Sequence, residues 1–171
     1  MSSAMLTHTL DPLKGYHKDH ALMKTAPIDS GVTLSTFYQG TVVSLNSDGE
    51  FVVDLASAGA MPMFLWRAGN SPDVSNVDAS AEPKEWYPIQ PRGNTTAFVA
   101  TGGFELETTE FVAGSIAPNN KLTTDGSGKL TKTTNNFYGA TPIVGIASAA
   151  PRTNHHKQSV LSFWTVYFPG N

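Results

Sequence analysis

The stretch that decides the fold is GSIAPNNKLTTDGSGKLTKTTNNFYGATPIVGIAS, residues 114–148. Two short runs, 121–124 and 129–133, flank the tetrapeptide DGSG at 125–128. Aspartate and glycine readily adopt the backbone angles that a tight turn between two strands needs. The β-branched segment 142–147 then predicts a short buried strand. The stretch therefore predicts a β-hairpin that leads into a core strand, and it contains no catalytic motif.

The rest of the chain repeats this strand-and-turn pattern. Residues 40–55 show it most clearly, because two runs with apolar residues at alternate positions are separated by the turn sequence NSDG at 46–49. The last run, 160–168, is apolar on both faces, which is typical of a strand buried inside a sandwich or between subunits. These patterns predict an all-β fold. The residues that we expect in its core are Val43, Leu45, Phe51, Val53, Ile143, Val144, Ile146, Val160 and Phe163.

The composition limits the class of protein. The chain has 171 residues with 15 Gly and 11 Pro, which suits a single domain rich in turns. Charged residues make up 15% and the net charge is −3, so we expect neither nucleic acid nor a membrane as a partner. The absence of cysteine excludes disulfides and thiolate metal sites and favours assembly in a reducing cytosol. No apolar run approaches a membrane span of roughly 18 residues, and the N-terminus lacks the pattern of a signal peptide.

Two segments fall outside the strand pattern. Residues 1–30 show no sustained alternation, so we expect an extended N-terminal arm that packs on a partner, with a loose tail as the alternative. Residues 31–171 are expected to form a single β domain with a long loop at 69–91, and loops of that length are usually functional. In this loop, Trp86 and Tyr87 either fix the loop to its own core or contact a partner. The predicted partner-binding residues are Leu10, Leu13, Tyr16, Leu22, Met23, Trp86 and Tyr87.

The side chains that could carry chemistry form no convincing site in the sequence. His155 and His156 are adjacent and would point to opposite faces of a strand, so a solvated loop pair is favoured over a metal site. Glu105 and Glu107 would share a strand face, as the two carboxylates of a glycosidase must, but acidic residues on a solvated face are commoner. The glycine-rich turn lacks the lysine and helix of a phosphate-binding loop. We therefore predict no enzymatic activity, no cofactor and no metal.

The deciding stretch resembles a segment of the decoration, or cement, proteins of tailed-bacteriophage heads. That segment has the form N-x-L-x-x-D-x-x-G-x-L-T and leads to a strand of the I-V-G-I-A type. The matching residues here are Asn120, Leu122, Asp125, Gly128, Leu130 and Thr131, followed by 143–147. The resemblance spans roughly the last two thirds of the chain and includes the hairpin at 40–55 and the final strand. The arm and the loop at 69–91 match nothing in the family.

The resemblance implies a small β-barrel or a jelly-roll-like sandwich that binds the outer surface of an icosahedral capsid. Such a protein stabilises the shell by bridging subunits of the major capsid protein. It also implies self-association, for which we expect a homotrimer with a dimer as the alternative, because decoration proteins occupy symmetry axes of the shell. The expected location is the outer surface of the virion, after synthesis in the host cytoplasm.

Two other functions stay open at the level of sequence. One is a carbohydrate-binding β-sandwich module of a phage fibre or adhesin, in which Trp66, Trp86 or Tyr87 would stack on sugar rings. The other is a glycan-cleaving enzyme that would use Glu105 and Glu107 as its two carboxylates.

Overall fold

The computed structural model describes residues 10–14, 23–33, 37–57, 59–67, 95–99, 103–137, 141–155 and 157–168. Within these ranges the chain forms twelve strands and no helix, and every strand-to-strand pairing is antiparallel. The predicted all-β class is confirmed. In chain order the strands are β1 (Leu10–Lys14), β2 (Met23–Ala26), β3 (Val42–Leu45), β4 (Phe51–Val53), β5 (Met63–Arg67), β6 (Thr95–Val99), β7 (Glu105–Thr108), β8 (Lys121–Thr124), β9 (Leu130–Thr133), β10 (Ile143–Ala147), β11 (Arg152–Thr153) and β12 (Ser159–Phe168).

The strands form two sheets. The seven-stranded sheet has the order β1-β7-β12-β10-β8-β9, and β11 pairs with β12 beside this path. The five-stranded sheet has the order β2-β6-β5-β3-β4. Among the described strands neither order returns to its starting strand, so the architecture is two open sheets and not a closed barrel.

The hairpin predicted from the deciding stretch is present as β8 and β9. The Asp125 side chain organises its turn, since Oδ1 accepts hydrogen bonds from the N–H groups of Ser127 (2.9 Å) and Lys129 (3.0 Å). Strand β8 also pairs with β10, with Leu122 opposite Gly145. The prediction of a hairpin that leads into a core strand is therefore confirmed.

The five-stranded sheet is buried on both faces. The cross-strand partners Val42 and Phe64 enter a core shared with the seven-stranded sheet. The next pair, Val43 and Met63, enters a second cluster on the opposite face. Successive residues of a strand point to opposite faces, so this division follows from strand geometry. The second cluster is covered by Ile28 and Val32 of the segment 28–33 and by Phe37.

Most of the predicted core is confirmed. Six of the residues are buried: Val43, Phe51, Ile143, Val144, Val160 and Phe163. Leu45 and Val53 are half-buried and pack against the second cluster. Ile146 is the exception, because it is half-buried and its neighbour Gly145 occupies the core-facing position beside Phe163.

The described parts of the N-terminal segment are strands of the two sheets. Strand β1 pairs with β7, and β2 pairs with β6. The expectation that this segment lacks the pattern needed to join its own sheets is therefore wrong for these residues. Each of the two is the outermost strand of its sheet, and a short edge strand needs only one partner and tolerates a proline such as Pro12. The predicted loop at 69–91 lies outside the described residues.

Candidate functional site

The predicted partner-binding residues have different positions in the structure. Leu10 is only 1% exposed and belongs to the core between the sheets, so it is a core residue and not an exposed anchor. Leu13, on the same edge strand, is 43% exposed. Met23 lies in β2. The other predicted residues, Tyr16, Leu22, Trp86 and Tyr87, lie outside the described residues.

The acidic residues of β7 are buried, which corrects the expectation of a solvated strand face. Glu105 is 9% exposed and Glu107 is 6% exposed. Their strand lies between β1 and β12 inside the sheet, so neighbouring strands shield both side chains. Oε2 of Glu107 accepts hydrogen bonds from the Arg152 guanidinium and from the Ser162 hydroxyl, the latter at 3.2 Å. The Glu107 carboxylate thus has a structural ion-pair partner that local sequence does not reveal.

A row of four cross-strand partners crosses the face of the seven-stranded sheet that points away from the core. Glu105 lies opposite Trp164, Trp164 lies opposite Ile146, and Ile146 lies opposite Lys121. Directly opposed residues in antiparallel strands share a face. Phe163, the residue before Trp164, is in the core between the sheets, so the row occupies the outer face.

Aromatic rings extend this row at one end. The rings of Phe137 and Phe168 have centroids 4.8 Å apart and are tilted by 56°. The Lys121 ammonium lies 5.2 Å from the centroid of Phe137, which is within the range of a cation–π contact. We call the four half-buried apolar residues of this region, Ile146, Trp164, Phe137 and Phe168, the outer strip.

The outer strip has the composition of a binding surface. Tryptophan and phenylalanine are enriched at protein interfaces, where they bury a large apolar area, and charged groups belong to the rim. Here the charged groups at the rim are the partly exposed Lys121, at one end of the row, and the exposed Arg152, which forms an ion pair with Glu107. Glu105, at the other end of the row, is buried.

The sequence contained a signal for part of the outer strip. The last run was expected to bury both faces, and β12 directs Leu161 and Phe163 into the core while Trp164 lies on the other face. No local signal places Lys121 and Arg152 beside it. Lys121 depends on the pairing of β8 with β10, and Arg152 reaches Glu107 because β11 and β7 both pair with β12.

The residues considered for other functions are also placed. Trp66 is half-buried and packs against the core between the sheets, so it is not a free platform for a sugar ring. His155 is exposed, and His156 lies outside the described residues. Within the described part of the chain, no group of three or more histidine and acidic side chains is arranged to hold a metal ion.

Comparison with protein-family models finds no match to the chain, and a search of curated proteins finds no matching sequence. Among the described residues, no helix is long and apolar enough to cross a membrane.

Proposed function

We propose that the protein is a structural decoration protein that binds the outer surface of an icosahedral phage capsid and bridges subunits of the major capsid protein. The observation that carries this proposal is the outer strip. Its half-buried aromatic and aliphatic side chains lie on the sheet face that points away from the core between the sheets, and Lys121 lies at their rim. Such a surface favours contact with another protein and has no evident catalytic use.

The edge strand β1 supports bridging. It is the end strand of the seven-stranded sheet, and within the described residues its second edge has no partner strand. An unpaired strand edge can accept a strand from a neighbouring molecule through main-chain hydrogen bonds. The exposed Leu13 offers an apolar contact at the same edge. The N-terminal segment would then contribute to the shell through its outer edge, while Leu10 anchors it to its own domain.

The proposal includes self-association and location. A homotrimer, with a dimer as the alternative, would place identical outer strips around a symmetry axis of the shell. The protein would be made in the host cytoplasm and would reside on the outer surface of the virion. We propose no enzymatic role, because Glu107 already accepts hydrogen bonds from Arg152 and Ser162.

The test is co-sedimentation with heads assembled from the major capsid protein encoded nearest to this chain on the same genome. The wild type should sediment with the heads and raise the temperature at which they rupture. Trp164→Ser should weaken binding by at least about tenfold, because truncation of a central aromatic residue typically costs 2 kcal/mol or more.

Val112→Ser is the matched control for this experiment. Val112 is an apolar residue that is 39% exposed, and it lies beside Leu130 and outside the outer strip. Its substitution should leave head binding unchanged, and both variants should keep the melting temperature of the wild type within a few degrees. Failure of the wild type to sediment with the heads would contradict the proposal.

A further inference from the structure

A cleft of about 640 Å³ lies between the segment that covers the second cluster and the turn of the β8–β9 hairpin. Its volume falls in the range of pockets that bind small molecules, about 300–1,000 Å³. None of its lining residues belongs to the outer strip, so it is a separate site. The polar residues that line it are Thr33, Tyr38, Glu110, Ser127 and Lys129.

The two charged side chains in the described lining of the cleft have opposite charges. Glu110 contributes a carboxylate and Lys129 an ammonium group, so the described lining carries no net charge. A phosphate or another anion would be attracted by the Lys129 ammonium group and repelled by the Glu110 carboxylate. A cationic ligand would be attracted by Glu110 and repelled by Lys129. A neutral ligand with both donors and acceptors avoids either penalty, because it can donate to the carboxylate and accept from the ammonium group.

The remaining lining residues indicate what kind of neutral ligand fits. Three of them, Thr33, Tyr38 and Ser127, carry hydroxyl groups, whose oxygen atoms can accept hydrogen bonds. Val32 and Val53 add apolar surface to the same walls. A sugar ring has this combination of properties, since hydroxyl groups surround its edge and C–H groups form its faces.

The walls of the cleft are held in place by the protein itself. On the hairpin side, the Ser127 hydroxyl donates to both carboxylate oxygens of Asp125 at 2.8 Å, and the Lys129 N–H donates to Oδ1 at 3.0 Å. On the opposite side, the Gly31 N–H donates to Oδ1 of Asp29 at 2.7 Å. Because these walls are already ordered, the protein loses little conformational entropy when a ligand binds. A small polar ligand that makes only weak contacts can therefore still bind.

The carboxylate of the cleft is also fixed. Glu110 is only 2% exposed, and the Thr109 hydroxyl donates to its Oε1 at 3.2 Å. Its backbone is held on both sides, because its N–H donates to Oγ1 of Thr108 at 3.0 Å and its carbonyl oxygen accepts from the N–H of Leu130 at 3.0 Å. A deeply placed, oriented carboxylate can distinguish one arrangement of sugar hydroxyl groups from another.

We propose that this cleft binds a neutral saccharide of one or two pyranose rings, such as the end of a surface glycan. The proposal goes beyond capsid binding and does not depend on it. In the proposed complex, the Lys129 ammonium group donates hydrogen bonds to hydroxyl groups of the sugar and the Glu110 carboxylate accepts them. Tyr38, which also lines the cleft, supplies the aromatic contact.

The test is saturation-transfer NMR and titration calorimetry on the full chain. The probes are glucose, galactose, mannose, N-acetylglucosamine, maltose and lactose, with inorganic phosphate as the anionic comparison. At least one sugar should receive magnetisation from the protein, and phosphate should not bind. Lys129→Ala should weaken that sugar at least tenfold, and Tyr38→Phe, which removes one hydroxyl group, should weaken it several-fold.

Lys132→Ala is the matched control, because Lys132 is exposed on β9 of the same hairpin and its ammonium group donates to the Ser115 carbonyl outside the cleft. It should leave sugar affinity unchanged. If Lys129→Ala does not fold, as shown by its melting curve, Tyr38→Phe carries the comparison alone. Absence of binding by all six sugars, binding of phosphate in their place, or unchanged affinity in the cleft variants would overturn the proposal. Head binding by Lys129→Ala should stay intact, which separates this site from the proposed capsid contact.

Discussion

Gly128 is the position where the β8–β9 turn touches the other sheet, and its substitution tests how the two sheets are joined. Its φ is +78°, and a Cβ atom there would lie 2.5 Å from Cγ2 of Thr41 and 2.8 Å from the carbonyl oxygen of Val42. The carbonyl oxygen of Gly128 accepts a 2.7 Å hydrogen bond from the N–H of Val42. An added methyl group would therefore strain the turn and push it away from β3.

The expected loss of stability has two parts. Holding alanine in the left-handed region costs about 1–2 kcal/mol. Forcing a methyl group against a backbone oxygen and the buried Thr41 costs about 1–3 kcal/mol more. Gly128→Ala should thus lower the free energy of unfolding by roughly 2–5 kcal/mol, which is a large share of the about 5–15 kcal/mol of a typical domain.

Gly126→Ala separates the two parts of this cost. Gly126 lies in the same turn with a similar φ of +86°, but the nearest atom to its added Cβ would be Oδ2 of Asp54 at 3.9 Å. Only the backbone cost of about 1–2 kcal/mol applies there. Urea denaturation of both variants, followed by circular dichroism, measures the difference. Equal losses in the two variants would refute the inference that Gly128 is required by close contact between the sheets.

Two further predictions concern charged groups. Arg152→Ala should lower the free energy of unfolding by about 1–3 kcal/mol in urea denaturation, because the Glu107 side chain, which is only 8% exposed, would lose its ion-pair partner. Adding Glu107→Gln should recover part of that loss. A further loss in the double variant would contradict this explanation. Burial would raise the pKa of Asp125, but hydrogen bonds from the Ser127 hydroxyl and from the N–H groups of Ser127 and Lys129 outweigh it and lower that pKa below 3.8. The stabilisation is therefore present above about pH 4 and is lost as the pH falls through the pKa of Asp125 in the folded protein. The difference in free energy of unfolding between wild type and Asp125→Ala should shrink between about pH 4 and pH 2. A constant difference would contradict the stabilising role of the ionised Asp125 carboxylate.

The sequence predicted those features that depend on neighbouring residues. The turn at 125–128 is formed by the Asp125 carboxylate and the next few backbone N–H groups, so its own residues are enough to predict it. The ion pair of Glu107 could not be predicted in this way, because its partner Arg152 is 45 residues further along the chain. Register between distant strands decides such contacts, and period-two alternation alone does not determine which strand becomes the neighbour.

The prediction for the N-terminal segment is wrong for a related reason. Alternation of side chains predicts strands that have one buried face. A short edge strand needs only main-chain pairing to one neighbour, so it can form without that alternation. Leu10 shows the consequence, because one residue of an irregular segment is enough to fill a position in the core between the sheets. The exposed residue of the same strand, Leu13, could not be distinguished from it by sequence.

Strand β12 offers a way to separate folding from binding within a single element. On one face, Leu161 and Phe163 are fully buried in the core between the sheets. Trp164 lies on the other face and is half-buried in the outer strip. Because neighbouring residues point in opposite directions, a large-to-small change at Phe163 should lower stability by about 3–5 kcal/mol, whereas one at Trp164 should mainly affect the partner. Among the residues that match the decoration-protein motif, Leu122 and Gly128 are buried and serve the fold, whereas Ile146 belongs to the outer strip. Under the proposed function, we expect Trp164, which lies on the outer face of β12 and outside the motif, to contribute to specificity for a particular capsid.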